Sequence, residues 1–77
     1  MPSVLIIDDE PNIRRMVGAL LESEGFEVRD ASDGQSGMAR AMEWEPDLVL
    51  LDLMMPGTLD GMATLELLRE RFPELPV

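Results

Sequence analysis

Apolar positions along this chain fall into two short uninterrupted runs, three stretches with helical spacing and one weak alternation. Ser3 to Ile7 is continuous in β-branched residues and leucine, too short for a helix and without alternation, which predicts a strand buried on both faces. Pro11 suits the first turn of a helix. Ile13, Met16, Val17, Leu20 and Leu21 then follow the i, i+3, i+4, i+7, i+8 spacing of one buried helical stripe, and Gly25 supplies a left-handed stop with Phe26 placed to pack back.

Glu27 to Ala31 alternates weakly and is more polar than the first run, so it reads as a short edge strand. Asp33-Gly34 opens a second helix to about Glu43, with Met38, Ala41 and Met42 as its inner face and Gly34 and Gly37 weakening it. Trp44-Glu45-Pro46 breaks that pattern, and Asp47 to Leu51 gives the second apolar strand. A third helix is expected from about Gly61 to Arg71, with Leu65, Leu68 and Phe72 inward, before Pro73-Glu74-Leu75-Pro76 ends it. Alternating strands and helices imply an α/β fold with a parallel sheet and right-handed crossovers. The two apolar strands want central positions and the polar one an edge, which favours the order 2-1-3 and sets the ends of strands 1 and 3 side by side.

That order changes the meaning of the acidic residues. Asp8-Asp9-Glu10 closes the first apolar run and Asp52 closes the second, so Asp8, Asp9 and Asp52 meet in the crevice where open α/β sheets bind ligands. Like charges held that close repel unless a cation compensates them. An oxygen-only donor set in a chain without histidine or cysteine suits a hard ion such as Mg2+ better than zinc or copper. The plainer alternative is that Asp8, Asp9 and Glu10 cap the first helix.

Composition narrows the field further. Seventy-seven residues make at most one small domain of marginal independent stability. Six arginines and no lysine against sixteen acids give a net charge of −10, which argues against a nucleic-acid surface and against anionic membranes. The absence of cysteine fits a reducing compartment, no apolar run approaches the roughly 20 residues of a membrane span, and no basic signal-peptide segment opens the chain. A cytoplasmic location is the default expectation.

With these residues in place the chain resembles the receiver domain of two-component response regulators. Val4-Leu5-Ile6-Ile7-Asp8-Asp9-Glu10 and Asp52-Leu53-Met54-Met55-Pro56 correspond to its signature segments, and the resemblance runs in order through all 77 residues. It implies a flavodoxin-like (CheY-like) doubly wound sheet, of which residues 1–77 are the N-terminal part, without strands 4 and 5 and their helices. It implies that Asp52 is the phosphoacceptor, taking a phosphoryl group from a phosphohistidine on a sensor histidine kinase or phosphotransfer protein and later losing it to water, to control an output located elsewhere. By the same resemblance Asp9, Asp52 and the Met54 backbone carbonyl bind Mg2+ and Asp8 acts mainly through bound water. Activity is then that of a self-phosphorylating switch and not of an enzyme with turnover.

Several residues admit two readings. Glu10 either joins the outer shell of the metal site or only favours the helix start, and the Met54 side chain either tunes access of hydrolytic water or is incidental. Asp60-Gly61 reads as a cap of the third helix, Pro56-Gly57 as shaping the loop, and Arg14 and Arg15 as a solvated face with a possible docking role.

Two departures from the family pattern stand out. Gly57-Thr58-Leu59 carries one extra residue, so the loop after Asp52 is expected to bulge. The chain also ends where the family's fourth strand begins, so the hydroxyl residue and the lysine that the family places after strands 4 and 5 are absent, and an incomplete switch is expected. The outer edge of the third strand is then open, and the expectation is that the chain either self-associates there, with Leu75 to Val77 contributing, or is one piece of a longer polypeptide. Two other functions compete: a Mg2+-dependent α/β phosphatase or phosphotransferase, which commonly wants a second acid where Met54 stands, and an interaction module that dimerises without phosphate.

Overall fold

The computed structural model describes residues 1–55 and 60–77. Three strands, β1 (Ser3–Ile7), β2 (Glu27–Ala31) and β3 (Leu48–Leu51), alternate with three helices, α1 (Pro11–Ser23), α2 (Gly34–Trp44) and α3 (Gly61–Arg71). The sheet is parallel in the order β2-β1-β3, as the polarity of the strands predicts. Register is fixed along the whole of β1: Ser3 to Ile7 face Glu27 to Ala31 on one side, and Val4 to Ile7 face Leu48 to Leu51 on the other. Val4, Leu5, Ile6 and Ile7 are buried throughout, which explains their lack of alternation.

The two faces of the sheet are covered unequally. Leu5, Ile7, Ala31 and Val49 form one core with Ala41 of α2, Leu68 of α3 and Met55, flanked by Met38, Trp44, Phe72 and Leu75. A Cβ at Gly37 would fall 2.5 Å from Ile7 Cδ1, so the absence of a side chain there sets how closely α2 approaches β1. Met42, expected on the inner face of α2, is instead exposed, because Gly34, Gly37 and Ala41 form the stripe against the sheet.

The opposite face carries α1, and here the expected stripe is corrected more strongly. Ile13, Met16 and Leu20 are exposed and Val17 and Leu21 only half-buried. The helix lies over β2 and β1, and the side it turns to them runs through Arg14 and the buried Gly18, where a Cβ would lie 3.6 Å from Val28 Cγ1 and 3.9 Å from Ile6 Cδ1. The apolar stripe therefore flanks a groove of about 530 Å³ over β3, lined by Ile6, Ile13, Val17, Leu50 and Val77, with Asp8 and Asp52 at its end.

Helix ends follow local chemistry. Asp33 caps α2 by accepting from the Ser36 N–H at 2.8 Å, and Asp60 caps α3 by accepting from the Ala63 N–H at 2.9 Å, as expected for Asp60-Gly61. Glu45 closes α2 in the left-handed region with φ of 51°. At the end of the sheet remote from the acids, Asp47 accepts from the Ser3 N–H at 2.8 Å and its own N–H donates to the Ser3 carbonyl. The Val49 N–H donates to the Pro76 carbonyl at 2.9 Å, so the C-terminal segment lies along the outer edge of β3 and covers part of it. No described helix is long and apolar enough to cross a membrane. The expected bulge over 57–59 and the shaping role of Pro56-Gly57 fall outside the described residues.

Candidate metal and phosphoryl site

Backbone bonds between neighbouring strands bring the strand ends into line. The Ile7 carbonyl accepts from the Asp52 N–H at 2.9 Å, and the next N–H along β1, that of Asp8, donates to the Ala31 carbonyl at 3.1 Å. One peptide unit, Ile7–Asp8, is thus held from both sides, by β3 through its carbonyl and by β2 through its N–H. This levels the three strand ends and places oxygens of Asp8, Asp9 and Asp52 all within 4.8 Å of one another. Asp8 and Asp52 are half-buried and Asp9 is exposed.

Two of the carboxylates repeat the same local device. Asp8 Oδ1 accepts from the Glu10 N–H at 2.9 Å, and Asp52 Oδ1 accepts from the Met54 N–H at 2.9 Å. Each is an aspartate folding back on the backbone two residues ahead, which turns the chain sharply at the end of its strand. Periodicity does not reveal these turns. The signal that would have found them is an aspartate directly after each apolar run, a residue type that favours such turns.

The capping alternative for Asp8-Asp9-Glu10 does not describe this geometry. Glu10 occupies the N-cap position of α1, but its side chain makes no cap hydrogen bond, and Asp8 spends Oδ1 on an N–H outside the helix. Among the described residues no protein hydrogen bond reaches the Asp9 carboxylate or the second oxygen of Asp8 or Asp52. The donors left over are hard anionic oxygens at one point, which fits an ion such as Mg2+ in kind. The Met54 side chain is 87 % exposed.

Arg14 departs from the expectation of a solvated face. Its side chain is 19 % exposed, its Nη1 donates to the Asp8 carbonyl at 2.7 Å and its Nε to Asp30 Oδ2 at 3.1 Å. Arg15 does remain exposed.

The fold recurs in known proteins. A family model described as the response regulator receiver domain matches residues 4–77, and the chain belongs to that family. The DNA-binding dual master transcriptional regulator RpaA of Synechocystis sp. is 46 % identical over 79 residues, which cover 100 % of this chain and 32 % of RpaA. Response regulator TrrA of Thermotoga maritima, in a crystal structure with Mg(2+)-BeF, superposes with a TM-score of 0.88 at 34 % identity, covering 95 % of this chain and 63 % of TrrA. In its complex with histidine kinase ThkA, TrrA superposes with a TM-score of 0.87 at 34 % identity, covering 96 % of this chain and 63 % of that one. The chain thus spans about a third of the length of the curated relative RpaA.

Proposed function

We propose that this chain is the phosphoacceptor part of a receiver domain and that Asp52 is the residue modified. The observation that carries the reading is the meeting of Asp8, Asp9 and Asp52 within 4.8 Å at the ends of β1 and β3. In the reaction a carboxylate oxygen of Asp52 forms a bond to the phosphorus of a phosphohistidine. The phosphorus–nitrogen bond breaks, its electron pair stays on the imidazole nitrogen, and that nitrogen takes up a proton. The acyl phosphate so formed is later cleaved by water, which returns Asp52 and inorganic phosphate.

Asp8, Asp9 and Asp52, with the Met54 carbonyl, would hold Mg2+, and Glu10 stands close enough in sequence to join the outer shell. Bound there, the ion supplies cancellation of the repulsion between an anionic nucleophile and an anionic phosphoryl group. The residues themselves do the rest. The Met54 N–H fixes Asp52 Oδ1, and among the described residues the other oxygen has no protein partner and serves as the nucleophile. Asp8, held by its own turn, keeps its carboxylate against the loop.

The phosphodonor in this reading is a sensor histidine kinase or phosphotransfer protein, supported by the relation to TrrA, which is seen with histidine kinase ThkA. A cytoplasmic site of action goes with such a donor. The output lies outside residues 1–77, and this segment itself contacts neither nucleic acid nor membrane, in keeping with its charge of −10. A phosphatase is disfavoured by Met54, an apolar residue at the position where a second acid is wanted.

Incubation with Mg2+ and a small-molecule phosphodonor, followed by intact mass measurement, tests the reading. A base-labile adduct that requires Mg2+ and is missing from Asp52→Asn is expected. Continuous phosphate release without an adduct would point to a phosphatase, and an inert chain to an interaction module.

A further inference from the structure

Arg14 ties α1 to both strand ends behind the acidic cluster. It stands one helical turn before the buried Gly18, on the side of α1 that faces the sheet, and its guanidinium reaches Asp30 at the end of β2 and the Asp8 carbonyl at the end of β1. Consecutive peptide units show what that second bond does. The Ile7–Asp8 unit is held by Asp52 and Ala31, and the Asp9–Glu10 unit by Asp8 Oδ1 through the Glu10 N–H. Between them, the Asp8–Asp9 unit is held among the described residues by Arg14. That unit sets the directions in which the two neighbouring carboxylates leave the chain.

We infer that Arg14 is a positioning residue of the cation site: by holding the Asp8 carbonyl it orients Asp8 and Asp9 toward Asp52. Asp30 anchors the guanidinium from the other side, and the planar fork of arginine serves both acceptors at once, which the single ammonium of a lysine does not. The inference rests on the Mg2+ reading of the acidic cluster.

Its sign distinguishes it from a charge effect. Arg14 is a cation beside a cation site, so on electrostatics alone its removal strengthens Mg2+ binding. Positioning predicts the reverse, since loss of groups that orient ligands typically weakens metal binding about 10–100-fold. Isothermal titration of the 77-residue chain with Mg2+ alone reads the difference, with circular dichroism establishing that each protein is folded. Arg14→Met is expected to bind about tenfold more weakly, at the lower end of that range, and Arg14→Lys to fall between it and the unaltered chain. Arg14→Met binding as tightly as the unaltered chain, or more tightly, overturns the positioning role while leaving the metal reading intact. If Arg14→Met does not fold, Arg14→Lys decides: weaker binding supports the role and unchanged binding overturns it. A folded unaltered chain that takes up no Mg2+ overturns the metal reading, and the positioning role with it.

Discussion

Gly61, the first residue of α3, lies directly against the Leu53 backbone, and a Cβ placed on it would also fall 2.6 Å from the Asp52 carbonyl oxygen. The start of α3 is therefore seated on the turn that carries the proposed phosphoacceptor, with no room between them for a methyl group. Both neighbours are main chain, so neither can rotate aside. Gly61→Ala is expected to cost about 3 kcal/mol, the upper end of ordinary overpacking, out of a total of roughly 4–12 kcal/mol for a chain of this size. Chemical denaturation followed by circular dichroism measures it, and a variant as stable as the unaltered chain would show that α3 is free to move off this turn.

Gly37 makes the softer version of the same contact. There the Cβ would meet Ile7 Cδ1 and Cγ1 at 2.5 and 2.9 Å, the side chain of a fully buried residue. Alanine recovers about 0.5–1 kcal/mol of helix stability, but strain from overpacking of about 1–3 kcal/mol exceeds it. Gly37→Ala should thus lower stability by about 1 kcal/mol, less than Gly61→Ala, and the order of the two denaturation midpoints checks this.

The cap of α2 gives a pH dependence. The Ser36 backbone N–H, helped by the Ser36 hydroxyl, holds the Asp33 carboxyl below its ordinary value of 3.8. A carboxyl depressed in the folded state contributes stability that is fully present above its unfolded value and disappears as the pH falls through the folded one. The stability advantage of the unaltered chain over Asp33→Ala should therefore be constant near neutral pH and narrow below 3.8. An advantage that persists unchanged into strong acid would show that the ionised carboxylate is not what caps the helix.

The open groove over β3 bears on association. Leu50, Ile13 and Met16 present apolar surface, and only part of the β3 edge is covered by the segment ending at Val77. The chain is expected to self-associate there as its concentration rises, and a charged residue at Leu50 should suppress it. Size-exclusion chromatography with light scattering decides: a folded monomer at micromolar concentration contradicts this expectation.

Much of this was legible beforehand, and what was not has identifiable causes. The uninterrupted run Val4 to Ile7 announced a strand buried on both faces, and the polarity of Glu27 to Ala31 announced an edge. Together they favour the order 2-1-3 over 1-2-3, which the sheet adopts and which brings Asp8, Asp9 and Asp52 together. Periodicity was less informative about α1, because spacing says which residues share a stripe and not which neighbour covers it. Ile13, Met16 and Leu20 share one, yet Gly18 and Arg14 face the sheet. Arg14 shows the same limit in polar form. Its bond to a backbone carbonyl six residues earlier depends on where α1 lies over β1, and an arginine beside a second arginine carries no sign of it.

Asp52, at the end of β3 and beside Asp8 and Asp9, is the proposed phosphoacceptor. Reduction of the phosphorylated chain with borohydride converts an aspartyl phosphate to homoserine, and tandem mass spectrometry of the resulting peptides locates it. Homoserine at position 52, formed only when Mg2+ was present during phosphorylation, is the predicted result. Homoserine at position 8 or 9, or phosphate retained on a serine or threonine, would contradict it.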